Sequence, residues 1–145
     1  RTAEQLKINI GCVFERTEED KLVRQESTEI RGRSLVSGLP KTITITADEM
    51  FEAFEEPAFQ IVDAVKSVLE QTPPELVGDI SEKGIVMTGG GSLIWGLDRL
   101  IAHETGIECE VADKPISCVA IGTGKSLDML DVLMESKTRN KYKIQ

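Results

Sequence analysis

Ile85-Val86-Met87-Thr88-Gly89-Gly90-Gly91-Ser92-Leu93-Ile94 joins a short apolar run to a run of glycines and then to the start of an amphipathic segment. An apolar run of this length, bounded by glycine, reads as a buried strand, and the glycines read as a tight turn into a helix from Ser92 to about Glu104. Gly106 stops that helix, Ile107 to Val111 reads as a second strand, and Asp113 and Pro115 open another helix. Strand, glycine turn, helix, strand and helix together predict a parallel α/β layer with right-handed crossovers.

Glycines at such a turn let the backbone approach a ligand closely and set free N–H groups and a positive helix end beside it. A nucleotide or another anion suits the turn, and so does a tight connection with no ligand; the glycine run alone leaves both open. It is not a dinucleotide fingerprint, because the next glycine of that pattern would fall on Ile94. Further on, Gly122-Thr123-Gly124-Lys125-Ser126 ends like a phosphate-binding loop. The glycine that the motif needs earlier is Val119, and the segment leading in is helical. Gly122 and Gly124 are expected instead to let that helix pack closely on a neighbour.

In the helix after the glycines, Leu93, Ile94, Leu97, Leu100 and Ile101 form an apolar stripe. Trp95 points away from it, toward the side of Arg99 and His103. A contact surface and partial shelter by a neighbouring element are both open for Trp95. His103 reads as a solvated helix-face residue.

Toward the beginning of the chain, Thr2 to Ile10 reads as a helix, with Thr2 and Gln5 matching a capping box and Gly11 at its end. Glu4 and Lys7 neighbour each other on its surface; spacing alone favours a solvated ion pair worth roughly 0.2–0.5 kcal/mol. Glu15 to Lys21 is charge-dense and reads as a loop. Three strand candidates follow, at Leu22–Ile30, Ser34–Val36 and Lys41–Thr46, the last alternating Ile43 and Ile45 against Thr42, Thr44 and Thr46. Thr46 caps the next helix, where Met50, Phe51, Phe54, Ala58, Ile61, Val62, Val65, Val68 and Leu69 share an arc of about 120°. Pro57 interrupts it and predicts two helices or a sharp kink. The chain is expected to divide there, into an α+β part at 1–56 and an α/β part at 57–145.

The chain has 145 residues, enough to bury a core without disulfides or metals. Its 17 basic and 25 acidic side chains leave a net charge of −8, which argues against a nucleic-acid binder. Cys12, Cys109 and Cys118 form no C-x-x-C pair, and with His103 as the single histidine there is no zinc constellation. They read as small hydrophobes in a reducing cytoplasm. No uncharged run approaches a membrane span. The tail from Lys137 to Lys143 reads as a solvated basic end. Since the chain begins with Arg1, it is expected to be a fragment.

The stretch from Gly84 to Ile94 resembles the adenosine motif of the superfamily of actin, heat-shock chaperones and sugar kinases. Four further segments narrow the resemblance to the bacterial actin homologues MreB and Mbl: Arg1-Thr-Ala-Glu-Gln-Leu-Lys, Ile30-Arg-Gly-Arg-Ser-Leu-Val-Ser-Gly-Leu-Pro-Lys-Thr-Ile, Thr72-Pro-Pro-Glu-Leu and Cys118-Val-Ala-Ile-Gly-Thr-Gly. The resemblance implies the second half of the actin-like (ribonuclease H-like) α/β ATPase fold, with residues 1–56 as the outer subdomain IIB and 57–145 as most of the inner subdomain IIA. It implies ATP in a cleft, with Gly89, Gly90, Gly91 and Ser92 on the adenosine side and Glu4 and Lys7 on the helix that reaches ribose and adenine. The phosphate-gripping loops and the residues that position Mg²⁺ are expected upstream of Arg1, so that the chain alone should not hydrolyse ATP. The family forms filaments beneath the cytoplasmic membrane, which it contacts through the other half. It organises the wall-elongation machinery of rod-shaped cells, and it docks the membrane-anchored partner RodZ on subdomain IIA. A monomeric kinase of the same superfamily is the alternative, and a chaperone-like ATPase would need a substrate domain for which the chain has no room.

Overall fold

The computed structural model describes residues 2–23 and 25–129, which form six α-helices and four strands. Helix α1 (Thr2–Ile10) ends where the Gly11 N–H donates to the Lys7 carbonyl at 3.0 Å. Helix α2 (Glu18–Val23) occupies ground expected to be loop and then strand. The Asp20 N–H donates to Thr17 Oγ1 at 3.3 Å, and the Thr17 N–H donates back to Asp20 Oδ2 at 3.0 Å. That reciprocal cap nucleates a turn inside a charge-dense segment and delays the first strand to Ser27.

Strands β1 (Ser27–Arg33) and β2 (Pro40–Thr46) form an antiparallel hairpin in which Ile30 faces Ile43 and Thr28 faces Ile45. Ser34–Val36, expected as a strand, lies in the connecting turn. The Ser34 N–H donates to the Leu39 carbonyl at 2.9 Å and the Gly38 N–H to the Ser34 carbonyl at 2.8 Å, so local bonds replace ladder bonds.

Helix α3 (Ala47–Gln71) starts at the expected cap, with Thr46 and Glu49 completing a capping box. It is one helix, not two, with Pro57 inside it. Both Pro57 and Ala53, whose carbonyl the proline leaves without a helical donor, are exposed, so water can satisfy that oxygen. Thr72 ends α3, and helix α4 (Pro74–Lys83) begins at once, with proline in the first turn where no N–H is needed.

Strands β3 (Ile85–Met87) and β4 (Cys109–Val111) pair in parallel, Ile85 beside Cys109, and helix α5 (Leu97–Thr105) lies on the connection between them. The expected single helix from Ser92 is in fact two pieces: one 3₁₀ turn at Gly90–Leu93, then α5. The break falls at Gly96, whose φ of 82° is left-handed. Helix α6 (Cys118–Asp128) starts later than expected, Asp113 and Pro115 lying in the turn before it. No atom approaches within 4 Å of where a Cβ on Gly122 or Gly124 would stand, so the close packing expected of them is not seen among the described residues. The basic tail lies outside those residues.

Two clusters make the core. Val13, Ala58, Val62, Leu97, Leu100 and Ile101 join α3 to α5, with Phe14, Phe54 and Ile85 packed against them. Ile10, Cys12 and Ala47 join α1 to the start of α3, with Leu6, Ile45, Phe51 and Trp95 around them. Burial pushes the pKa of the Cys109 thiol up, which keeps it a neutral, hydrophobe-like side chain. Among the described residues no helix is long and apolar enough to cross a membrane. No group of His, Cys, Asp and Glu among them could hold a metal ion.

Candidate functional site

Two connections bring α1 against the glycine turn, and a third ties the same segment to the start of α3. The Val13 N–H donates to the Trp95 carbonyl at 3.0 Å and residues 12 and 95 form a parallel bridge, while the Cys12 thiol donates to the Ala47 carbonyl at 3.3 Å. The segment leaving α1 thus runs directly beside the segment leaving the glycines. Gly96 makes this crossing feasible: a Cβ there would lie 2.6 Å from Phe14 Cβ.

The turn has its own scaffold. Ser92 is buried, and its hydroxyl donates to the Gly89 carbonyl at 2.7 Å. The Gly89 N–H donates to the Pro115 carbonyl at 2.8 Å, tying the loop after β3 to the loop after β4. Both loops leave the carboxyl ends of parallel strands, where open α/β sheets bind their ligands.

The result is a cleft of about 350 Å³ lined by Glu4, Lys7, Ile8, Gly90, Leu93, Ile94 and Ile116. It gathers Glu4, Lys7 and Gly90, three of the residues singled out from the sequence, from segments more than 80 residues apart. Gly89, Gly91 and Ser92 do not line it; Ser92 instead spends its hydroxyl inside the turn. The ion pair suggested by spacing is not formed: among the described residues, neither Glu4 nor Lys7 closes an ion pair. Both polar ends are therefore available to a ligand.

The glycines test whether a nucleotide fits. A Cβ built on Gly90 or Gly91 meets no atom within 4 Å, and neither residue has a positive φ. Among the described residues nothing demands glycine there, whereas a ligand seated against the backbone would. Ile8, Leu93, Ile94 and Ile116 offer apolar walls for a flat ring, Glu4 an acceptor for hydroxyls, and Lys7 a cation. Sequence reasoning missed Ile8 and Ile116 as lining residues; the strand-end rule, applied to the loop after β4, is the signal that points to Ile116.

Trp95 is half-buried, and the Arg99 guanidinium stacks 4.9 Å above its ring. Arg99 also reaches Asp20 Oδ2 at 3.1 Å, so partial shelter, one of the two open readings, describes Trp95. His103 is exposed and tilted against Phe14, at 6.0 Å between ring centres. The stretch that resembles a phosphate-binding loop, Gly122–Ser126, lies inside α6.

A family model described as MreB/Mbl protein matches residues 1–135. The cell shape-determining protein Mbl of Bacillus subtilis is 49% identical over 137 residues, covering 94% of this chain and 39% of that protein. The cell shape-determining protein MreB of Escherichia coli is 49% identical over 131 residues, 90% of this chain and 36% of that protein. The crystal structure of MreB5 of Spiroplasma citri bound to ADP superposes with a TM-score of 0.82 at 34% identity, over 92% of this chain and 39% of that one. The same protein bound to AMPPNP gives 0.82 at 33% identity. The chain thus spans about two-fifths of the length of the relatives it matches. The likeness bears out the expected fold class, the second half of an actin-like α/β fold with an α+β outer part.

Proposed function

Since the chain belongs to the MreB/Mbl protein family, we propose that it is the adenosine-side half of an ATP-binding cytoskeletal protein that assembles into filaments and determines cell shape. The observation that carries this reading is the cleft: Glu4 and Lys7 face Gly90 across a space with apolar walls. Adenine would lie between those walls, with its ribose hydroxyls donating to Glu4 and Lys7 countering negative charge. Gly90 and Gly91 leave room for the ligand to touch the backbone. ATP would supply the triphosphate whose hydrolysis makes assembly reversible. The groups that grip its phosphates and Mg²⁺ would come from the rest of the longer protein.

In the same reading the protein works beneath the cytoplasmic membrane, touching it through the other half. Residues 1–56 then act as the outer subdomain and 57–145 as the inner one. The inner part meets a RodZ-like membrane-anchored partner, and the protein organises the wall-elongation machinery.

The test uses the full-length protein that carries this chain. A fluorescent ATP analogue should bind about tenfold or more weakly to Glu4→Gln and to Lys7→Ala, as loss of a hydrogen bond to a charged group predicts. Sedimentation should show polymer with ATP and little with ADP. Unchanged affinity in the double variant refutes the site, and no sedimentation with any nucleotide refutes the filament.

A further inference from the structure

We propose that a recess between α3 and α5 binds an aliphatic oligoamine, its ammonium groups on Glu15 and Glu55 and its methylene chain against phenyl rings. The recess shares no lining residue with the cleft of Glu4 and Lys7, and its occupancy does not depend on the nucleotide reading.

The sequence brings aromatic side chains to this face from two segments. Phe14 follows the bridge at residue 12, while Phe51 and Phe59 stand about two turns apart on α3. With Leu100 of α5 they wall a space of about 400 Å³, an ordinary size for a small-ligand pocket. Phe59 is 41% exposed, so its ring is open to a ligand. A phenyl ring carries a negative face, to which an ammonium group is attracted.

Carboxylates border the same space. Glu15 comes from the segment after α1 and Glu55 from α3, and both are exposed. Neither closes an ion pair among the described residues. Glu104 borders the recess too, but Lys66 already holds it at 2.6 Å. Two unpaired carboxylates in a chain of net charge −8 select a cation.

Their placing selects the kind of cation. A metal ion needs several oxygens converging on one point, and no group of His, Cys, Asp and Glu among the described residues could hold one. Carboxylates from separate segments that share an aromatic wall suit a ligand whose charges are spaced by an apolar chain. An oligoamine has that pattern, with methylenes for Leu100 and the rings and ammonium groups for the glutamates. The larger apolar groove between α3 and α4 has no charged residue in its lining and offers an ammonium group nothing.

The experiment is equilibrium dialysis of radiolabelled spermidine against the full-length protein, without nucleotide, since free phosphates would themselves bind the amine. Binding should saturate at one spermidine per chain. Glu15→Gln with Glu55→Gln should weaken it about tenfold or more, as loss of hydrogen bonds between charged groups predicts. Side chains this exposed do not hold the fold, so the loss reports the site. Phe59→Leu keeps an apolar side chain but removes the ring, and should weaken binding about threefold. Asp63→Asn with Glu70→Gln removes the same charge from α3 outside the recess and should change nothing. Butylamine, with a single charge, should compete about tenfold or more weakly than unlabelled spermidine. Absence of saturable binding overturns the proposal. So does an equal loss in the two double variants, which is the mark of attraction by bulk charge. Displacement of spermidine by Mg²⁺ at matched ionic strength overturns it as well, because a point charge would then serve as well as a chain.

Discussion

Gly96 and Gly90 stand in the same loop and look alike in the sequence, yet they answer to different masters. Gly96 has a φ of 82° and a backbone crossing at its Cα, with Phe14 Cβ 2.6 Å from where its own Cβ would stand. Gly90 has an ordinary φ and open space on that side. Packing among the described residues explains the first glycine and gives no reason for the second. What distinguishes the second glycine is its place, in the lining of the cleft with Glu4 and Lys7.

The largest effect that could break this contrast is on Gly96. Gly96→Ala forces a Cβ into left-handed backbone, at roughly 1–2 kcal/mol. It also overpacks the contact with Phe14, at roughly 1–3 kcal/mol. Together these predict about 3 kcal/mol of lost stability, read as a lower urea midpoint with an unchanged slope. A loss below about 1 kcal/mol would mean that the crossing relaxes freely, and the division between the two glycines would then collapse.

The opposite substitution sharpens it. Gly90→Ala should change stability by no more than about 0.5 kcal/mol, because nothing is displaced and the backbone is one that alanine adopts. Affinity for the ATP analogue should nonetheless fall about tenfold, since the new methyl group stands where the ligand would touch the backbone. Equal affinity would leave the glycine run as a ligand-free turn, the other reading that the sequence had left open.

That openness shows how far sequence reasoning reaches. Elements with strong local signals were legible: α1, the hairpin's second strand, the Thr46 cap and the parallel pair β3 and β4. Where reasoning failed, two local rules competed. At Pro57 the proline rule lost to a long apolar stripe, because Ala53 and Pro57 are exposed and water can satisfy the orphaned carbonyl. At Glu15–Lys21 the rule that charge-dense segments are loops lost to a reciprocal cap between Thr17 and Asp20. Within the cleft, Glu4 and Lys7 became candidates only through the resemblance, since their spacing suggested an ion pair with each other. What sets them against Gly90 is the bridge between residues 12 and 95, a long-range pairing that no local pattern encodes.

The smallest predicted effect checks the fold-serving side of the same crossing. Asp20 of α2 accepts from the Thr17 hydroxyl at 2.8 Å and from Arg99, which in turn covers Trp95 beside Gly96. Thr17's hydroxyl and N–H, with Arg99 adding to them, hold the Asp20 carboxyl below its ordinary value of 3.8. A carboxyl whose pKa is depressed by folding stabilises the folded state fully above the unfolded-chain value, and that contribution is lost as pH falls through the lower, folded value. Asp20→Asn should therefore lower the urea midpoint slightly and by a constant amount at neutral pH, and the gap to wild type should close as pH falls below the ordinary value of 3.8. Affinity for the ATP analogue should not move, because Asp20 is not among the residues that line the cleft. If the variant weakened nucleotide binding with no change in midpoint, the clamp at Trp95 would belong to the ligand's side of the molecule, and Gly96 with it.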